Sequence, residues 1–317
     1  MTEIKKRHHY IWREYLRNWS TDEKINSLLL QEKKILTEVN LVNVAQEKFF
    51  YQLEEFTEEE EEEEEIILFE LVKSWSNEAT LEMNLEIYKS FTSYSKLKKS
   101  VEENLKLNAN NNLELKSKLD AIRYNGIENI HTLLESFGKK IIAVKSLEDL
   151  KFLDDQQELF LTMIFIAFQY LRTKKMHTSV ENVINANPLL SAKYVQPFSF
   201  IYATALAHSL TFHKDLTFTI LENLTSKEFI TSDQPLMNLE KDIKDINNNV
   251  INFKLYYPIN PRLAVIIDYD DKRKETYILK KPDEKEVGDL NSFIFKNSDR
   301  FIFSQEMELL EYYKTCL

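Results

Sequence analysis

The spacing of apolar positions changes along this chain, and each change marks an element. Lys5 to Tyr10 reads as extended. Trp12, Tyr15, Leu16 and Trp19 follow at i, i+3, i+4 and i+7, one face of a short helix, with Arg13 and Arg17 four apart on another. Ile25 to Val39 reads as a hairpin with a Gln31–Lys34 turn. Asn40 to Phe56 reads as a short helix leading to Phe49-Phe50-Tyr51. Ile66 to Leu119 is helical in period, interrupted at Asn108–Asn112, and Ile127 to Phe137 predicts a helix ended by Gly138 as its C-cap. One long helix is predicted from Leu147 to Lys175, apolar on every face over Leu159–Phe168 and therefore buried all round. Helices at Thr178–Ala186 and Phe198–Leu210 follow, with Pro188 and Pro197 at the connections.

Beyond Leu210 the period shortens to that of strands. Leu216–Leu221, Glu228–Thr231, Val250–Tyr257, Leu263–Asp268 and Glu275–Leu279 are β-branched or aromatic and separated by turn residues. Glu286–Asn297 and Gln305–Tyr313 read as helices flanking a strand at Arg300–Ser304. Helices first and strands later predict an α+β fold: a helical middle layer packed on a largely antiparallel C-terminal sheet, with an N-terminal extended segment and hairpin. The expected organisation is a single domain, 1–317, divided into 1–56 (motif and hairpin), 66–210 (helical) and 211–317 (sheet-rich).

Composition narrows the chemistry. Of 317 residues 43% are hydrophobic, enough for a substantial core, and only three are glycine. Neither G-x-x-x-x-G-K-[ST] nor G-x-G-x-x-G occurs, which excludes the glycine-cradled nucleotide folds. The net charge is −11, yet eight of those charges sit in Glu58–Glu65, leaving the remainder near −3. Such a run reads as solvated loop or a frayed helix N-terminus. Cys316 is the one cysteine, so no internal disulfide is available, and a reducing cytoplasm is the expected location. The first residues lack the apolar stretch of a secretory signal, and the most apolar run, Leu159–Leu171, is short of a membrane span; no membrane association is expected.

Three polar constellations stand out. His8 and His9 are adjacent, so in an extended segment they point to opposite faces and cannot serve one site together. One of them, His9 in preference to His8, is expected to face a cleft while the other packs or caps. No H-x-x-x-H or H-E-x-x-H is present, and His131, His177, His208 and His213 lack metal-ligand spacing, so no metal site and no cofactor are assigned. Gln169 and Arg172 lie three apart near the end of the buried helix, and a buried guanidinium requires a carboxylate or an anion. Ser232-Asp233-Gln234-Pro235 ends a strand where Asp233 can bond its own backbone or supply a carboxylate to Arg172.

These segments carry a resemblance. Arg7-His8-His9-Tyr10-Ile11-Trp12-Arg13-Glu14-Tyr15-Leu16-Arg17-Asn18-Trp19, Asn43–Tyr51, Phe168–Arg172, Ile230–Pro235 and Tyr257-Pro258-Ile259-Asn260-Pro261 occur in the order of motifs of a prokaryotic family, domain of unknown function 4238. Trp12 stands where that family usually has proline, Arg13 where it often has glutamine, and Gln234 where it has asparagine. The resemblance implies an accessory bacterial protein, toxin-like or part of a mobile-element or anti-phage defence system, with a partner protein encoded nearby.

The leading expectation is a metal-independent nuclease acting on RNA. His8 or His9 would be general acid or base, Arg172 would stabilise charge on phosphate, and Asp233 would orient the histidine. Tyr10, Arg13, Arg17, Gln169 and Ser232 would bind the substrate, RNA or another phosphate-bearing ligand. Tyr10, Trp12 and Trp19 would stack its bases, and Lys5, Lys6 and Arg7 would add phosphate contacts. The competing expectation is a non-enzymatic sensing or interaction protein whose same residues form a structural network; a third is an enzyme acting on a small phosphorylated ligand. Sealing of His9, Arg172 and Asp233 from solvent, or separation beyond about 10 Å, would argue against a shared active site.

Overall fold

The computed structural model describes residues 3–60, 73, 78–107, 112–187, 190–213, 215–246, 250, 252–269 and 275–317. Within these lie strands β1 (Arg7–His9), β2 (Lys24–Leu29), β3 (Lys34–Asn40) and β4 (Gln46–Lys48), with helix α1 (Arg13–Leu16) between the first two strands; where a short helix was expected over Asn40–Phe56, a 3-10 turn at Leu41–Asn43 is followed by β4. Helices α2 (Glu78–Leu107), α3 (Asn112–Phe137), α4 (Lys139–Ile142), α5 (Gln156–Leu171), α6 (Lys174–Asn185) and α7 (Val195–Thr211) follow. Then come β5 (Leu216–Glu222), β6 (Thr231–Ser232), β7 (Met237–Asn238), β8 (Leu255–Asn260), β9 (Leu263–Tyr269) and β10 (Tyr277–Lys280). Helix α8 (Glu284–Asn297), strand β11 (Phe301–Ser304) and helix α9 (Met307–Thr315) close the chain. The fold is α+β. These elements group into two units, each built from separated stretches: unit 1 from Met1–His8, Glu47–Ser136 and Met176–Leu206, unit 2 from His9–Gln46, Phe137–Lys175 and Ala207–Leu317.

Unit 1 is helical. Its core gathers Phe56, Tyr88, Val180, Ile184, Tyr194, Val195, Phe198 and Ile201. Val180 and Ile184 lie four apart and form the buried stripe of α6. Pro197, expected at a connection, instead occupies the first turn of α7, where no intrahelical bond requires its missing N–H. At the start of the glutamate run residues 58–60 are helical, and Thr57 caps them: its hydroxyl accepts from the Glu60 N–H at 3.1 Å while its own N–H donates to the Glu60 carboxylate at 2.7 Å. The expected helix N-terminus is therefore present there. Glu61–Glu65, the apolar stretch after them and Asn108–Asn111 lie outside the described residues.

Unit 2 holds two sheets where one was expected. The first has the order β10-β5-β9-β8-β7 and is antiparallel except for the parallel β10–β5 pair. The second, β3-β2-β11-β6, is antiparallel throughout and joins the N-terminal hairpin to the last strand. Pairing of β2 with β11 crosses most of the chain, and local periodicity carries no information on it. The shared core includes Leu28, Phe229, Ile230, Tyr256, Val287, Ile294, Ile302 and Leu310. Helix α8 starts at Asp283, whose side chain forms a capping box with Glu286.

Two helix boundaries differ from expectation. The run 147–175 is not one helix: Leu147–Asp154 is a 3-10 segment, and extended Asp155 breaks it, its carboxylate accepting from the Glu158 N–H to start α5. The helix preceding Gly138 ends at Phe137 as expected but begins at Asn112, and Gly138 is not a left-handed cap. Its backbone is right-handed, φ −80°, and its lack of a side chain answers a close approach: a Cβ would come within 2.3 Å of the Phe165 ring. Among the described residues no helix is long and apolar enough to cross a membrane.

Candidate functional site

The alternation of an extended segment separates the two histidines as predicted. His8 is 0% exposed and belongs to unit 1. Its Nδ1 accepts from the Tyr51 N–H at 2.9 Å, which requires the proton on Nε2, and Nε2 donates to the Lys5 carbonyl at 3.0 Å. The ring stacks on Tyr51 at 5.9 Å. Burial, the largest influence, lowers its pKa and favours this neutral tautomer. The assignment of His8 to catalysis meets a physical obstacle: both ring nitrogens are committed to main chain.

Tyr51 draws in two more histidines. His131 lies 4.4 Å and His177 6.2 Å from its ring, and His177 also packs on Phe50 at 4.8 Å. Burial pushes the His177 pKa down to about 4. Sequence spacing gave no sign of this gathering, because 8, 131 and 177 come from three different elements.

His9 lies in unit 2 and is half-buried, and its carbonyl accepts from Arg172 Nη2 at 2.6 Å. Arg172 follows the largely apolar α5 and is 3% exposed, with its N–H closing the helix on the Phe168 carbonyl at 2.9 Å. Gln169, one turn earlier, is buried, and among the described residues its Nε2 has no hydrogen-bond partner. The structure thus brings His9 and Arg172 together, through the main chain of the first.

Asp233 is 2% exposed, and its carboxylate does something the sequence did not suggest. It accepts from the N–H groups of Asp299 at 3.0 Å, Arg300 at 2.6 Å and Phe301 at 3.1 Å. The proposed partnerships with Arg172 and with a histidine are therefore corrected: its oxygens bind the start of β11 and not a side chain. Burial still pushes its pKa up to about 6, against the lowering effect of the three amides. Ser232 is also sealed, and its hydroxyl bonds the Gln234 main chain in a local turn. Gln234 takes the Thr173 hydroxyl on its carbonyl oxygen and donates to Leu236 O at 2.9 Å and Tyr170 O at 3.3 Å. That side chain ties the Ser-Asp-Gln-Pro turn to the end of α5.

The other expected binding residues, Arg13 apart, are buried or likewise engaged. Tyr10, Trp12 and Trp19 are buried and are not open to stack bases. Trp12 packs edge-on to Phe165 at 5.6 Å, and Trp19 Nε1 donates to Phe229 O at 3.0 Å. Tyr15 donates to Pro258 O at 2.8 Å and shares a hydrogen bond with Thr231, while Asn18 donates to Ile259 O at 2.8 Å. Arg17 is bound by Glu14 and Glu23, and Arg13 is half-buried.

Sequence reasoning missed Glu228. It is buried, and its Oε1 accepts from the Ser304 hydroxyl and from the N–H groups of Gln305 at 2.6 Å and Glu306 at 3.0 Å. Asn291 completes the arrangement, accepting from Ile230 N–H at 3.0 Å and donating to Glu228 O at 2.8 Å. Glu228 and Asp233 thus bracket β6 and hold β11 at its two ends. An acid on each side of Phe229-Ile230-Thr231-Ser232 was the available signal.

Two of the expected partners, His9 and Arg172, share a hydrogen bond, and β6 and β8 meet the N-terminal helical segment through Tyr15 and Asn18. Nearly all of these bonds run from side chain to main chain. Compared with known proteins, one family model, described as protein of unknown function (DUF4238), matches residues 7–193 and 191–308. No curated protein and no solved structure matches the chain.

Proposed function

We infer, from the premise that the chain belongs to the DUF4238 family, that this is a non-enzymatic sensing or interaction protein whose recurring motifs form its scaffold. The observation that carries the reading is Asp233: a sealed carboxylate that accepts three main-chain amides. General acid–base catalysis needs its groups within reach of a substrate. Here Asp233 and Ser232 are closed off by β11, and His8 by Tyr51 and Lys5. A bacterial defence or mobile-element system is the setting that the family resemblance suggests.

The test is purified protein incubated with total RNA at acid, neutral and alkaline pH, with and without divalent ions. Intact RNA, together with an Arg172→Ala variant that melts several degrees lower, is the expected result. Cleavage by the wild type that a His9→Ala variant abolishes would overturn it.

One observation favours a second reading, a metal-independent nuclease acting on RNA as a toxin-like or anti-phage effector. His9 as a residue is half-buried, although its Nε2 is closed from solvent, and its own carbonyl receives the Arg172 guanidinium. A general base and a phosphate-stabilising cation would then come from that one contact. The same incubation decides between the two.

A further inference from the structure

The C-terminal end of α8 in unit 2 collects two ammonium groups on one residue. Asn297, the last residue of that helix, accepts from Lys175 Nζ on its main-chain oxygen at 2.5 Å and from Lys241 Nζ on its side-chain oxygen. The asparagine is held in this orientation, because its Nδ2 donates to the Phe293 carbonyl at 2.8 Å. Lys241 also stands over the Phe293 ring, 5.9 Å from its centroid. Both lysines are half-buried, whereas Lys174 beside them in sequence is exposed.

One cation at the carbonyl end of a helix is expected, since the macrodipole favours it. Two on the oxygens of a single residue oppose each other, and half-burial removes part of the water that would screen them. Burial and a neighbouring like charge both favour the neutral amine. They lower the Lys175 pKa, burial first and Lys241 second, while Asp233 and Asp299 pull the other way. Asp233 is at the same time committed to the amides of residues 299–301. A half-shielded lysine set beside a second cation is an activated nucleophile. Its neutral form can keep one N–H on Asn297 and still present a lone pair for attack.

We propose that Lys175 is a covalent modification site for small carbonyl compounds that carry a negative charge, the 2-oxo acids, with Lys241 holding the anionic end. The amine nitrogen attacks the carbonyl carbon, whose π pair moves to oxygen. Transfer of a proton from nitrogen to that oxygen gives a carbinolamine, and loss of water leaves an imine. Lys241 stays charged throughout and pairs with the carboxylate. The reacting residues are distinct from those on which the proposed function rests, so RNA cleavage by the wild type would leave this inference standing.

Incubation of the full chain with glyoxylate and cyanoborohydride tests it. The hydride reduces the imine to a stable secondary amine, and peptide mass spectrometry maps the labelled lysines. Near neutral pH Lys175 should label about tenfold faster than Lys174. Lys241→Met should bring Lys175 down to the rate of Lys174 and move its pH–rate profile to the alkaline side, with circular dichroism unchanged. Lys241→Arg, which keeps the charge, should preserve both rate and profile. Formaldehyde, a neutral aldehyde, should show a smaller preference for Lys175. Equal labelling of Lys174 and Lys175, an unchanged Lys175 rate in Lys241→Met, or an equal preference with formaldehyde would each overturn the proposal.

Discussion

The two units solve the same problem, a polar group in a core, in opposite ways. Unit 1 places histidine rings in its core, buried His8 and His131 and half-buried His177 around Tyr51, among Phe50 and Phe200, and burial lowers the pKa of His8 and His177. Unit 2 uses carboxylates, Asp233 and Glu228, each accepting several main-chain amides at one end of β11. A histidine can enter a core by losing its charge, at the expense of protons taken up on unfolding. A carboxylate that remains ionised needs donors, and a strand end with unpaired N–H groups supplies them. Residues that look catalytic in a sequence can therefore be doing either of two structural jobs, and the two respond to acid with opposite sign.

The sharpest way to break this comparison is to remove the acceptor in unit 2. Asp233→Ala leaves the amides of residues 299–301 without this partner, that of Phe301 fully buried and the other two partly so, and relief of the carboxylate's own burial offsets only part of that. A loss of about 3 to 5 kcal/mol is expected, read in urea unfolding. Hydrogen exchange should show the first loss of protection in β11 and β6, with the unit 1 helices affected later. Equal loss in both units would mean that the carboxylate does not act locally on β11.

Next in size is the pH response. The His177 pKa is lowered in the folded state to about 4, so between there and its ordinary value the unfolded chain binds the extra proton. Stability from this group is complete above about 6.5 and is lost as pH falls toward 4, by at most about 3 kcal/mol. For Asp233 the sign reverses. Its pKa is raised to about 6, so the folded state holds the proton more tightly and this group's contribution weakens as pH rises from its ordinary range through 6. Region-resolved hydrogen exchange at several pH values should therefore show acid loosening unit 1 before unit 2. His177→Phe should remove the acid sensitivity of unit 1; a slope that persists unchanged would assign it to another group.

How far the sequence reaches is visible in the same residues. The stripe Trp12–Tyr15–Leu16–Trp19 and the 25–39 hairpin were legible because local period decides them, and all four stripe residues are buried. The break at Asp155 was not, because the short polar run Asp154–Glu158 still fits the helical period of the apolar residues beyond it. Convergence of part of the motifs was legible from chemistry alone, since a buried Arg172 demands an acceptor. Which acceptor was not legible: the bond goes to the His9 carbonyl, a neutral main-chain acceptor where a carboxylate or an anion was expected. The acceptor role of Asp233 depends on amides 66 to 68 residues away, a pairing that no local pattern encodes. The same holds for β2 with β11, and for the three histidines about Tyr51.

A smaller effect sharpens the account of α5. Gly138→Ala places a methyl within 2.3 Å of the Phe165 ring, which also meets Trp12. Since the glycine backbone is right-handed, alanine is favoured there by conformation and opposed by packing alone. A net loss of about 2 kcal/mol is expected in thermal or urea unfolding. Combining it with Phe165→Leu should recover part of the loss, because the double variant relieves the overlap. Stabilisation by the single variant would show that the α5 packing yields easily.

The smallest effect tests whether the motif network is held by single bonds or by their number. Tyr15→Phe removes one hydroxyl that donates to Pro258 O and meets Thr231, leaving the ring stacked on Tyr257 at 5.1 Å. The lost hydrogen bond predicts about 1 kcal/mol, and Thr231→Val should cost about the same. If the two groups act as one unit, the double variant should lose little more than either single one, because each change already breaks their shared bond. Full additivity would mean that Pro258 O alone holds Tyr15. In that case the N-terminal helix is fastened to the main chain of β8 in the manner of Asn18, which donates to the next carbonyl along, that of Ile259.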